Sequence, residues 1–200
     1  MKEWLKKAGY DADPVILGIA TSSFVPSKGV ILAVGVVDSR PGGVQDVMCV
    51  QGIESTADIA KNTGFTQAML DSGSPLEEIQ DRLLDMLAGR FVVSYAFDTF
   101  LSKWLGAPPL EGVDMPEVLD VQTWSYYLDT YSSLPQHATC IADVHDHVSK
   151  VIPKRIGNFD THCFEKTGWV CPDNFEGTTL DKRLEQTTRL WQILRERTPC

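Results

Sequence analysis

Apolar residues in this chain first appear in short unbroken runs and later at helical spacing. Val15-Ile16-Leu17-Gly18-Ile19-Ala20, Val30-Ile31-Leu32-Ala33-Val34-Gly35-Val36-Val37 and residues 44–50 are β-branched or otherwise apolar stretches of strand length. The turn cluster Ser39-Arg40-Pro41-Gly42-Gly43 separates the second run from the third, which predicts neighbouring antiparallel strands. Ser74-Pro75-Leu76-Glu77 then has the form of a helix start, with serine as the N-cap and proline at the first helical position. Leu76, Ile79, Leu83, Met86 and Leu87 follow at helical spacing, and Gly89 supplies the stop. Residues 90–95 read as a further strand and 97–105 as the next helix, with more helices over 118–131, 137–151 and 180–196.

This order predicts one α/β domain over residues 1–200, with a mixed sheet whose strands 1–3 are antiparallel and with flanking helices. Residues 1–13 read as an N-terminal extension carrying a short helix. Residues 153–177, with several Gly, Asn, Asp and Pro, read as a long loop before the C-terminal helix.

Composition narrows the setting. At 43% hydrophobic and 22% charged over 200 residues, the chain suits a globular domain with a full-sized core. No apolar run reaches the roughly 20 residues of a membrane helix, and the charged start Met1-Lys2-Glu3-Trp4 is unlike a secretory leader. Five cysteines at irregular spacing suit reduced thiols, so a cytoplasmic location is expected. The net charge of −9 repels phosphate backbones at long range, and no Lys or Arg lies between Lys103 and Lys150.

Two segments carry the chemistry. The first strand holds Gly18 and Ala20, and the run Val92-Val93-Ser94-Tyr95-Ala96-Phe97-Asp98 ends a later strand. Together with Thr63-Gly64-Phe65-Thr66 and the C-terminal Thr187-Thr188-Arg189-Leu190-Trp191, they resemble the DnaQ-like (DEDD) 3′-to-5′ exonucleases in order and spacing from about Pro14 to Arg197. The resemblance implies a ribonuclease-H-like fold. In that family two Mg²⁺ or Mn²⁺ ions about 4 Å apart are held by four carboxylates, one activating water and both steadying the leaving oxygen. The first motif, Asp-x-Glu-Thr, falls on Gly18 and Ala20, neither of which offers a side-chain oxygen. In the second motif the Phe-Asp pair is kept, so Asp98 is the one carboxylate left for any residual metal site. In the third, the general-base histidine falls on Thr178 and the last metal-binding aspartate on Arg183.

The resemblance therefore implies an exonuclease fold with degenerate motifs and no metal cofactor. Such a chain acts as a binding or scaffolding subunit, with a protein partner in a nucleic-acid-processing assembly and single-stranded DNA or RNA as a further ligand. Arg183, Lys182, Lys154 and Arg155 are the nucleic-acid-binding candidates, with Arg183 placed either to hold a phosphate or to pair with Asp98. Two alternatives stand beside this reading: an active Mg²⁺- or Mn²⁺-dependent 3′-to-5′ exonuclease, and a pure protein-interaction module using the acidic helical half. A zinc site among His145, His147, His162, Cys163 and Cys171 has the right donor atoms but no compact-finger spacing.

Overall fold

A computed structural model describes residues 3–151 and 159–198. Its centre is a mixed sheet of five strands, β1 (Val15–Thr21), β2 (Ile31–Asp38), β3 (Gln45–Cys49), β4 (Val92–Ser94) and β5 (Val118–Asp120), in the order β3-β2-β1-β4-β5. β1 pairs antiparallel with β2 and β2 antiparallel with β3, whereas β1–β4 and β4–β5 are parallel. The helices are α1 (Glu3–Lys7), α2 (Ala57–Thr63), α3 (Gln67–Asp71), α4 (Leu76–Leu87), α5 (Val121–Tyr131), α6 (Ile141–Val151), α7 (Phe159–Thr167) and α8 (Thr179–Arg197).

Strand alternation divides the core in two. Ile16, Ala20, Leu32 and Leu119 face α5, α6 and α8, meeting Trp124, Val144, Leu184 and Trp191. Val15, Leu17, Ile19, Val34 and Val36 face the other way, onto Ile79 and Leu83 of α4 and onto Trp104. The stretch expected as an N-terminal extension closes the first core: Leu5 and Tyr10 are fully buried, and the Tyr10 hydroxyl donates to the Leu194 carbonyl at 3.1 Å.

Several expected boundaries move, each for a local reason. Ser74 does not cap α4; its backbone bonds to Cys49 and Gln51 beside β3, and Pro75 takes the N-cap position. The helix expected over 97–105 is a series of turns ending in a 3₁₀ turn, Leu101–Trp104, because the Asp120 carboxylate takes the Ala96 and Asp98 N–H groups and fixes a non-helical entry. The helix expected from 118 begins at Val121 instead. Val118, Leu119 and Asp120 pair with β4, and Asp120 accepts from Gln122 and Thr123 as the N-cap of α5. α6 starts at Ile141 rather than at 137, since a turn follows Pro135 and the Thr139 N–H donates to Asp143. The long loop expected over 153–177 contains α7, which buries His162 and Cys163; residues 152–158 lie outside the described residues. Among the described residues no helix is long and apolar enough to cross a membrane.

Candidate functional site

Gly18 of β1 lies directly opposite Gly35 of β2, and the missing side chains leave a dent in the face beneath α8. Leu180 and Leu184, one helical turn apart, fill it. A Cβ on Gly18 would stand 3.1 Å from the Leu180 Cδ1 and 3.3 Å from the Leu184 Cδ2; on Gly35 it would meet the Leu184 Cδ1 at 2.6 Å. The two glycines therefore set how closely α8 approaches the sheet. Ala20, next on the same face, is buried.

Beside this seat two cavities share a wall formed by Phe24 and Arg183. The inner one, of about 220 Å³, is walled mainly by carbon, with Leu17, Gly18, Phe100 and Phe159 among its lining. The outer one, of about 250 Å³, is more polar than the first and includes Ala20, Thr21, Ser22, Ser23 and Asn62. Phe24 stands at the rim with 77% of its surface exposed and its ring edge-on to Phe100.

Arg183 makes no ion pair or hydrogen bond through its guanidinium among the described residues. Burial pulls its pKa down, opposed by the charges of Asp160 and Tyr95. The other cations of α8 are matched. Lys182 pairs with Asp160 at 2.9 Å and lines neither cavity, Arg189 pairs with Glu185 while lying over Trp169, and Arg195 and Arg197 meet Asp13 and Asp129. Lys154 and Arg155 lie outside the described residues. Thr178 holds the helix end in place, as the N-cap of α8 in a reciprocal capping box with Asp181.

Asp98 is not beside Arg183. Its Oδ1 lies 3.3 Å from Nδ1 of His145, whose Nε2 accepts the Asp120 N–H at 3.4 Å. The fully buried Asp120 takes N–H groups from Ala96, Asp98, Gln122 and Thr123, and holds Ala96 in a left-handed conformation at φ 55°. Burial, then the nearby Asp98 charge, push the Asp120 pKa up to about 6. Among the described residues no three His, Cys, Asp or Glu side chains are grouped to hold a metal ion.

A second polar cluster backs the inner cavity. The Gln122 amide donates to the Tyr95 hydroxyl at 2.9 Å, Tyr95 meets Nδ1 of His162 at 3.0 Å, Nε2 of His162 meets Ser125 at 2.9 Å, and Ser125 donates to the Gln122 carbonyl. With His162 neutral and protonated on Nε2, each contact of this closed ring joins one donor to one acceptor. Burial accordingly lowers the His162 pKa to about 4 and raises that of Tyr95.

With strand order, helix placement and this cleft established, comparison with solved structures gives a fold. The chain is similar to E. coli exonuclease I in complex with a dA16 oligonucleotide, with a TM-score of 0.54 and 11% identity over 92% of this chain and 41% of that one. The fold is similar to part of that exonuclease. The zinc-bound form of the E. coli exonuclease I–single-stranded DNA complex gives the same TM-score at 10% identity, covering 92% and 40% of the two chains. The chain spans about two fifths of the length of exonuclease I. No family model and no curated protein matches its sequence.

Within the exonuclease-like fold, Gly18 and Arg183 share the inner cavity and Ala20 and Arg183 the outer one, while Asp98 and Thr178 line neither. Sequence reading missed Phe24 and Asp120, and it weighed His162 only as a zinc candidate and Tyr95 only as part of the second-motif run. Asp120 followed by a helical stretch was a legible N-cap signal; the ring around His162 joins residues far apart in sequence and left none.

Proposed function

We propose that this domain is a catalytically silent exonuclease-fold module that binds single-stranded nucleic acid as a binding or scaffolding subunit of a nucleic-acid-processing assembly. One observation carries the reading: Leu180 and Leu184 pack into the space above Gly18 and Gly35 where a carboxylate on residue 18 would have to stand. Hard dications require several oxygen ligands, and the wall here supplies hydrocarbon and a guanidinium. The residues present do not fit a two-metal centre, so no hydrolytic step is derived through one. Support for a nucleic-acid ligand comes from the unmatched charge of Arg183, from the exposed aromatic ring of Phe24, and from the fold's likeness to proteins solved with single strands.

The test combines melting temperatures in Mg²⁺ or Mn²⁺, a nuclease assay, and binding of a labelled single-stranded oligonucleotide across a salt series. The expected outcome is no cation-dependent rise in Tm, no hydrolysis, and an affinity that falls as salt rises. Cation stabilisation with hydrolysis would establish the active-exonuclease alternative, and no strand binding at low salt would favour a protein-interaction module.

A further inference from the structure

The outer cavity can be characterised by where its protons go. Thr21, Thr63 and Thr179 each donate their hydroxyl proton to a backbone carbonyl, those of Ser23, Ile59 and Thr63. Ser22 and Ser23 do the reverse. Their oxygens accept N–H groups from Val30 at 2.9 Å and Val25 at 3.2 Å, and no described residue takes their protons. The Asn62 amide has no hydrogen-bond partner among the described residues either. What faces the cavity is a set of uncommitted donors, two hydroxyls and an amide, beside the unmatched guanidinium of Arg183. Asp58, exposed on α2, is the one carboxylate among its lining residues.

Such a set suits a compact, highly charged oxyanion. A part-buried guanidinium with no hydrogen bond or ion pair among the described residues is costly, and a planar fork meeting two or three anionic oxygens reduces that cost. The shared wall adds a second requirement. The other side of Arg183 is an apolar chamber with Phe24 at its mouth, so the anion's carrier should have a flat, largely apolar body.

We propose that the outer cavity is a receptor for a terminal phosphate monoester on a single strand, gripped by Arg183, Ser22 and Ser23, with the end base lodged in the inner cavity. This rests on the reading of the domain as a nucleic-acid binder and adds to it a choice of strand end. An internal phosphodiester carries one negative charge; a terminal monoester carries nearly two and three free oxygens. A mononucleotide presents the same chemistry and is distinguished by the test.

The full chain is titrated by fluorescence anisotropy with one labelled oligonucleotide in three forms: 3′-phosphorylated, 5′-phosphorylated and hydroxyl-ended. Adenosine monophosphate and inorganic phosphate serve as competitors. One phosphorylated form should bind about tenfold more tightly than the hydroxyl-ended strand, in line with an added charge-assisted hydrogen-bond pair. Arg183→Gln should abolish the difference between ends, and Arg183→Lys should restore it only in part, because an ammonium lacks the fork. The melting temperature of each variant establishes that it is folded. Equal affinity for all three forms overturns the phosphate receptor while leaving strand binding intact. If no strand binds, yet phosphate raises the Tm of the wild type and not of Arg183→Gln, the anion site stands and the nucleic-acid reading falls. Competition by the mononucleotide as strong as by the phosphorylated strand overturns the assignment to a strand end.

Discussion

Gly18 and Gly35 are defined by what rests on them. Because a methyl group on Gly35 would fall 2.6 Å from the Leu184 Cδ1, Gly35→Ala should destabilise the fold by about 1–3 kcal/mol through overpacking. Combining it with Leu184→Ala, which opens space at the same point, should cost less than the two single changes added together. Urea unfolding of the four proteins measures this cycle, and strict additivity would show that helix and strand do not touch there. His162 makes a separate claim about acid. It binds its proton near pH 6.5 when unfolded and only near pH 4 when folded, so its contribution is complete above about 6.5 and is lost as pH falls toward 4. Asp120, raised to about 6, acts in the opposite sense: its contribution is greatest in acid and is lost as pH rises through 6. His162→Gln removes the first without the second. The stability gap between wild type and this variant should therefore narrow from pH 7 to pH 4, and a constant gap would count against the buried neutral imidazole.

At the scale of elements, α8 does the most to position the cleft, bringing Leu180, Leu184 and Arg183 over the sheet while anchoring its other end through Trp191. That ring lies 4.9 Å from Tyr10 and 5.8 Å from Phe91 and is nearly inaccessible. Trp191→Ala should cost about 3–5 kcal/mol, measurable by chemical denaturation; a loss below about 1 kcal/mol would mean that this end is not anchored. α8 was legible in the sequence because its apolar stripe is long. The strands of the opening meander were legible for a similar reason, as β-branched runs punctuated by glycine and proline. β5 was not, since three apolar-to-acidic residues run without a break into α5 and only pairing with β4 separates strand from helix. α7 was hidden because it buries just His162 and Cys163, too few positions to mark a period. Of the site, Arg183 was found from the pattern and its lack of a partner was not. That property depends on where every other carboxylate goes: Asp98 turned to His145 and Asp160 to Lys182.

Across the whole molecule, charge is distributed so that attraction to a polyanion is local. A net charge of −9 and the cation-free stretch between Lys103 and Lys150 oppose broad contact with a phosphate backbone, and most cations of α8 are neutralised by acidic neighbours. Strand binding on such a surface engages few phosphates, so in the salt series the affinity should fall with a shallow logarithmic slope, on the order of one to two released counter-ions. The same architecture bears on how this scaffold can change. An acid at residue 18 would set its Cβ 3.1 and 3.3 Å from the Leu180 and Leu184 methyls, so those side chains must give by a few tenths of an ångström. Changing strand and helix together relieves that contact, and the interlocking of glycine and leucine thus weighs against single-step innovation at this spot.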